Sequence, residues 1–222
     1  MKASETLMAP KSTVNHETMK TFSRPLAALA LAAALSTNLV PTVHAAIPDP
    51  AAERINTLDN ALLDAMKQGP ALGVKGRYRK LSPVIDQSFD LPTMTAYAVG
   101  PAWAGFAPAD KQALIRAFGR LSAASYAHNF DSFSGERFEV GAVQQRGADK
   151  VVLSKIVPAH GDPTSLSYRM RQTAEGWKII DVYYGAISQL TTRRSDFAGP
   201  VASGGAKGLL AHLDALTAKL VG

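Results

Sequence analysis

Residues 164–197, TSLSYRMRQTAEGWKIIDVYYGAISQLTTRRSDF, decide the fold. Leu166, Tyr168 and Met170 alternate with Ser165, Ser167, Arg169 and Arg171. A two-residue period of this kind marks a strand with one face in a core and one in water. Ala174-Glu175-Gly176 suits a three-residue hairpin loop, with Gly176 in the left-handed conformation that makes a bulge. Pairing Thr173 with Trp177 then sets Met170 opposite Ile180, Tyr168 opposite Val182 and Leu166 opposite Tyr184. The other face pairs Arg169 with Asp181. The apolar match and the charge match both favour this register. One face of the hairpin, made by Leu166, Tyr168, Met170, Ile180, Val182 and Tyr184, is apolar and must be covered. Helices cover it, either alone or together with a ligand.

Upstream of this hairpin the chain changes character at Ser134-Gly135. Before that point the spacing predicts helices. Ile55, Leu58, Leu62 and Met66 recur at three- and four-residue steps within residues 46–68, and Gly69-Pro70 ends that helix. Residues 72–80, with the basic string GVKGRYRK, read as a solvated connection. Ser82-Pro83 then suits a helix start running to residue 88. Phe89-Asp90-Leu91-Pro92 is a corner, residues 93–99 a short helix ended by Gly100-Pro101, and Trp103 a core residue. The longest helix covers residues 108–130, with Leu114, Phe118, Leu121 and Ser125 on one stripe. After it come strands over residues 137–146 and 150–158, joined by Gly147-Ala148-Asp149, then the hairpin. Residues 185–192 are open between strand and helix. Residues 197–200 and 203–205 read as loops. Residues 206–220 close the chain as an amphipathic helix carrying Leu209, Leu213, Leu216 and Leu220. Helices followed by four antiparallel strands predict an α+β fold, with helices on one side of a curved sheet.

Residues 1–45 have a different make-up. Met19-Lys20-Thr21-Phe22-Ser23-Arg24 is a short basic start, and residues 26–35, LAALALAAAL, are an unbroken apolar run. Val43-His44-Ala45 offers a small-residue cleavage pattern, so the segment reads as an N-terminal extension and secretory signal cut after Ala45. The run is too short for a membrane span, although an uncleaved anchor is the alternative. Met19 is a second candidate start. Residues 46–222 form the folded domain. There is no cysteine, which excludes a lipid-modified N-terminal cysteine and any disulfide. Residues 46–222 carry a net charge of +4, from 20 basic and 16 acidic side chains. That is mildly basic, easing approach to anionic lipid surfaces, but without the arginine/lysine stripe of a nucleic-acid binder.

Catalytic chemistry is sparse. The five histidines have no metal-ligand spacing. His128 reads as a helix-end residue, and His160 beside Asp162 as part of a turn. No G-x-S-x-G elbow or S-x-x-K motif is present. Gly204-Gly205-Ala206-Lys207-Gly208 lacks the hydroxyl residue that completes a phosphate loop. Asp181 is a candidate general base in a sheet pocket, or a structural ion-pair partner of Arg169.

Several motifs then occur in a fixed order. They are Phe89-Asp90-Leu91-Pro92-x-Met94, Val99-Gly100-Pro101-Ala102-Trp103, Tyr126-Ala127-x-x-Phe130-Asp131 and Ser134-Gly135-Glu136-x-Phe138. Trp177-Lys178-Ile179-x-Asp181-Val182 and Ile187-Ser188-x-Leu190…Arg193-Arg194-Ser195-x-Phe197 follow. The ordered set, over residues 81–220, resembles the MlaC / toluene-tolerance family of periplasmic lipid-binding auxiliary proteins of ABC transport. Within it the sequence is most similar to the hopanoid-associated HpnM branch. Two residues after Met94, where many members carry Arg, this chain has Ala96. The resemblance implies a four-stranded, NTF2-like/MlaC-like α+β fold around a deep apolar cavity. It implies a monomeric, cofactor-free shuttle for a hopanoid or phospholipid, working with membrane-bound transport components and performing no catalysis. In that setting the six apolar hairpin residues become a cavity wall. Holding a sixteen-carbon tail in water costs on the order of 12 kcal/mol at ~0.8 kcal/mol per methylene, so a carrier must hide the tail completely. A small enzyme using Asp181 and a secreted interaction domain without ligand are the other readings.

Overall fold

The computed structural model describes residues 48–222 and shows five helices packed with one antiparallel sheet of five strands. The predicted signal segment and cleavage site lie outside the described residues. Helix α1, Pro50–Lys67, starts where Asp49 accepts the Ala51 N–H at 2.9 Å and Pro50 occupies the first turn. Its expected stripe is buried, with Ile55, Leu58 and Leu62 wholly removed from solvent.

Helix α2, Gly69–Ser88, overturns the expected basic connection and the start at Ser82-Pro83. Only Gly73, at φ 60°, leaves helical angles, and Pro83 lies inside the helix. Leu81 and Ile85 are fully buried on either side of Pro83, and Val74 and Tyr78 extend their stripe. Packing of that stripe outweighs the backbone bond that a proline forfeits. Arg77 is itself buried, donating to the carbonyls of Ala127 and Gly69, each at 2.8 Å.

Helix α3, Leu91–Val99, is capped by Asp90, which accepts the Thr93 N–H at 3.1 Å. Gly100 at φ 75° ends it and leads into a 3-10 turn, Gly100–Gly105. Trp103, expected in the core, is only half-buried there, edge-on to Phe106. Helix α4, Pro108–Asn129, buries the expected Leu114, Phe118, Leu121 and Ser125. It lies at the middle of the helical layer, against α2 on one side and the last helix on the other.

The sheet is a meander in which every strand pairs with its sequence neighbour: β1 Arg137–Arg146, β2 Asp149–Val157, β3 Thr164–Thr173, β4 Gly176–Tyr184 and β5 Ile187–Ser188. Strand β5 is an addition to the expected four. It is too short to show a period, which is why residues 185–192 read ambiguously. A bulge between Val140 and Val143 interrupts the β1–β2 ladder and adds twist to that edge.

The hairpin register is correct at one end and shifted at the other. Leu166 faces Tyr184, Tyr168 faces Val182 and Arg169 faces Asp181, as the alternation predicts. Toward the turn, Thr173 pairs with Gly176 across two residues, and Met170 faces Ile179 rather than Ile180. A bulge at Ile180 reconciles the two registers. Its physical cause is on the neighbouring segment. The Ile179 carbonyl accepts the Asp90 N–H at 2.9 Å, and Phe89 bridges to Ile179 in parallel fashion. Ile179 therefore joins the continuous core in the place expected of Ile180. The expected Arg169–Asp181 ion pair is also replaced. Arg169 Nη2 lies 2.6 Å from Asp149 Oδ2, and Arg171 Nε lies 2.8 Å from Asp149 Oδ1. Asp149, at the start of β2, is buried between the two guanidiniums, and Arg171 foremost holds its carboxyl below the usual carboxylate range.

Helix α5, Gln189–Val221, runs through both segments expected to be loops. Pro200 sits inside it, and only Gly205, at φ 56°, breaks its angles. The fully buried Phe197, Leu209 and Leu213 hold the two halves in place. At 33 residues α5 exceeds α4, expected to be the longest helix, although its break leaves α4 the longer uninterrupted one.

Candidate functional site

The inner face of the sheet does not pack solidly against the helices. Ile156 of β2, Leu166 and Tyr168 of β3, Val182 and Tyr184 of β4, and Tyr126, Asn129 and Phe130 at the end of α4 enclose a hollow of about 220 Å³. Strand alternation places the β3 and β4 residues on this side. Of the six wall candidates, Leu166, Tyr168, Val182 and Tyr184 thus border the hollow. Met170 and Ile180 do not. Met170 is fully buried in the continuous core, and the bulge takes Ile180 off the inner row.

A second, smaller hollow of about 60 Å³ adjoins the first and shares Tyr126, Asn129 and Val182 with it. Phe89, Met94, Phe118 and Leu190 form its apolar part; Ser122, Ser125, Gln189 and Arg193 add a polar side. Aromatic rings build the floor between the two. Tyr126 stacks on Phe130 with centroids 5.6 Å apart and meets Phe89 edge-on at 5.8 Å, and Phe130 continues to Phe138 at 6.0 Å. Offset and edge-on rings of this kind make a stiff, dry surface.

Three side chains to which the sequence alone assigned no role matter here. Tyr126 lines both hollows. Arg193 donates through Nη2 to Ser125 Oγ at 3.2 Å, and burial lowers its pKa, an effect partly offset by Asp196. Asp59 is buried on α1, and neither carboxylate oxygen has a hydrogen-bond partner. Burial pushes its pKa up to about 7. Its charge adds to the burial that raises the phenols of Tyr126 and Tyr168. A signal existed for two of them. Asp59 interrupts the stripe Ile55, Leu58, Leu62, and Arg193 falls on the same helical face as Leu190 and Phe197.

Asp181 has a different task from either reading of it. Its Oδ1 accepts the N–H groups of Val182, at 2.8 Å, and Leu190, at 3.1 Å, while Oδ2 accepts Ser188 Oγ at 2.7 Å. It fastens β4 to the first turn of α5 and lines neither hollow. Ser188 in turn caps α5 by accepting the Thr191 N–H at 3.0 Å. His128 is exposed at the end of α4, and His160 lies in the exposed loop after β2. Among the described residues there is no group of acidic or histidine side chains able to hold a metal ion. Among the same residues, no helix is long and apolar enough to cross a membrane.

The family model described as MlaC protein matches residues 56–215, from within α1 to within the last turns of α5. The chain belongs to the MlaC family. Every residue bordering the two hollows falls inside the match to MlaC. The fold is also similar to a solved phospholipid-binding protein from Ralstonia solanacearum, in complex with a phospholipid. The TM-score is 0.69 at 23% identity, over 78% of this chain and 100% of that one. No curated protein matches the sequence significantly.

Proposed function

We propose that the protein is a lipid carrier of the periplasm, holding the hydrocarbon of a phospholipid or hopanoid between the sheet and α4. In this reading it shuttles its guest between membranes as the soluble component of an ABC-type transport system, and it exchanges the guest with membrane-bound partners. The observation that carries the reading is the apolar hollow bounded by Leu166, Tyr168, Val182 and Tyr184. Membership of the MlaC family supports it, as does the likeness to a protein that binds a phospholipid.

The size of the hollow gives the mechanism. At about 220 Å³ it falls short of the roughly 300–1,000 Å³ of ordinary small-molecule pockets. A long acyl chain therefore widens the gap between sheet and helices as it enters, and the empty gap closes again on release. Closing limits the apolar surface left in contact with water once the guest has gone. Solvent extraction of the purified protein followed by mass spectrometry tests the reading. Close to one lipid per chain is the expected result. A protein that carries no lipid, and takes none from vesicles, defeats it.

A further inference from the structure

We infer that Asp59 is a proton-operated latch on the guest cavity: in its neutral form it lets α1 close on the sheet and drive the guest out, and as a carboxylate it holds that seam open and the guest in. The inference rests on the carrier reading and adds a control on loading and release.

Asp59 lies four residues after Ile55 and three before Leu62, on the face of α1 that is pressed into the core. It is 3% exposed, and neither carboxylate oxygen has a partner. Helix α1 rests on β1, β2 and β4. Tyr126 and Tyr168, which border the larger hollow, both register the charge of Asp59. The same side of the sheet holds a second unmet polar atom. Ser154 Oγ is buried without a partner, on β2 opposite Leu166 of the cavity wall. The charged groups on the elements packed against α1 are engaged elsewhere. Arg77 of α2 donates to the Ala127 and Gly69 carbonyls, Lys150 of β2 pairs with Asp49, and Asp181 of β4 has its three donors. Strand β1 packs Phe138, Val140 and Val143 against the core, and Glu53, Asp64 and Lys67 of α1 itself are exposed. A carboxylate sealed in without donors is relieved in two ways: it takes up a proton, or the seam parts until water reaches it. The guest parts the same seam when it widens the gap between sheet and helices. Ionisation and loading thus favour one open state, and each strengthens the other. Burial pushes the Asp59 pKa up to about 7, which sets the latch to work near neutral pH. Loading releases a proton, and affinity for the guest rises with pH through that value.

The test is calorimetric binding of palmitoyl lysophosphatidylcholine to delipidated protein, below the micelle concentration of the probe. Its headgroup keeps one charge state from pH 5 to pH 9, so any pH dependence belongs to the protein. Wild type is expected to bind roughly tenfold or more tighter at pH 8.5 than at pH 5.5, the scale of a carboxyl pKa that falls by about one unit or more on loading. Titrations at pH 7 in two buffers of different ionisation enthalpy should show a net release of protons as the probe binds. Asp59→Asn, fixed in the neutral form, should bind at both pH values with the weaker affinity of wild type at pH 5.5, and should release no proton. Equal wild-type affinity at the two pH values, tighter binding at pH 5.5, or binding without proton release overturns the latch and leaves the carrier reading standing. A pH dependence that survives in Asp59→Asn has the same effect. Failure of the probe to bind at either pH sinks the carrier reading and the inference with it. Because the wild-type proton count alone can refute the inference, a folding defect in the variant does not protect it.

Discussion

At the scale of single residues, the interior holds, among the described residues, one carboxyl that its surroundings do not satisfy. Asp59 has no hydrogen-bond partner and a pKa raised by burial from 3.8 to about 7. The unfolded chain ionises this group near pH 4 and the folded chain only near pH 7. Between those values the folded state binds more protons, so its stability falls as pH rises through that window. Below the window the group is neutral in both states and no penalty exists. Asp59→Asn should therefore stabilise the protein by roughly 1–3 kcal/mol at pH 8 and far less at pH 4, read from urea midpoints at the two pH values. Equal effects at both would show that the carboxyl is not held neutral by the fold. Asp181 is the opposite case, a buried carboxylate with three donors. Asp181→Ala should cost about 2–4 kcal/mol by leaving the Leu190 N–H and Ser188 without their acceptor. A variant of unchanged stability would count against the fastening role. Neither residue's role was legible in the sequence. An acidic residue in an apolar stripe announces that something unusual happens there, but not whether the group is satisfied.

Among the elements, what could be read ahead of the structure depended on how cleanly a period showed. Strand β3 alternates without exception from Ser165 to Arg171, and its inner and outer faces came out as expected. The bulge in β4 was not legible, because its cause is a bond from Asp90, about ninety residues away in the chain. In α2 the stripe Val74, Tyr78, Leu81, Ile85 was present but hidden among Lys75, Arg77, Arg79 and Lys80. In α5 the glycines and Pro200 signalled turns, and burial of Phe197, Leu209 and Leu213 overrode them. The same reasoning shows where an element cannot be altered. A Cβ added at Gly69 would stand 2.0 Å from the Asp131 carbonyl oxygen, which is backbone and cannot swing away. Gly69→Ala should destabilise by about 2 kcal/mol or more, whereas Gly105→Ala, with nothing within 4 Å, should be nearly neutral. Comparable melting temperatures for the two would contradict the close approach of α2 to residue 131.

For the molecule as a whole, the hollow is a point, among the described residues, where the fold departs from a close-packed interior. Val182 borders both of its parts. Val182→Phe should fill that junction and cut the lipid recovered per chain several-fold, with the far-ultraviolet circular dichroism unchanged. Full lipid occupancy in that variant would place the guest elsewhere. Alternation alone placed Leu166, Tyr168, Val182 and Tyr184 on the face that borders the hollow, because the two-residue period assigns faces wherever the register holds. Met170 shares that face but sits in the continuous core, which a period cannot tell from a void, and the bulge takes Ile180 off the face.

The meander has a consequence for the order in which the chain can assemble. Each strand finds its mate in the segment just before or after it, so the sheet can zip up from short closures alone. Helix α1 is different: it rests partly on β4, more than a hundred positions downstream. Its greasy side, Ile55, Leu58 and Leu62, thus waits for a late-arriving seat, and any chain ending before β4 is left with that side partly bare.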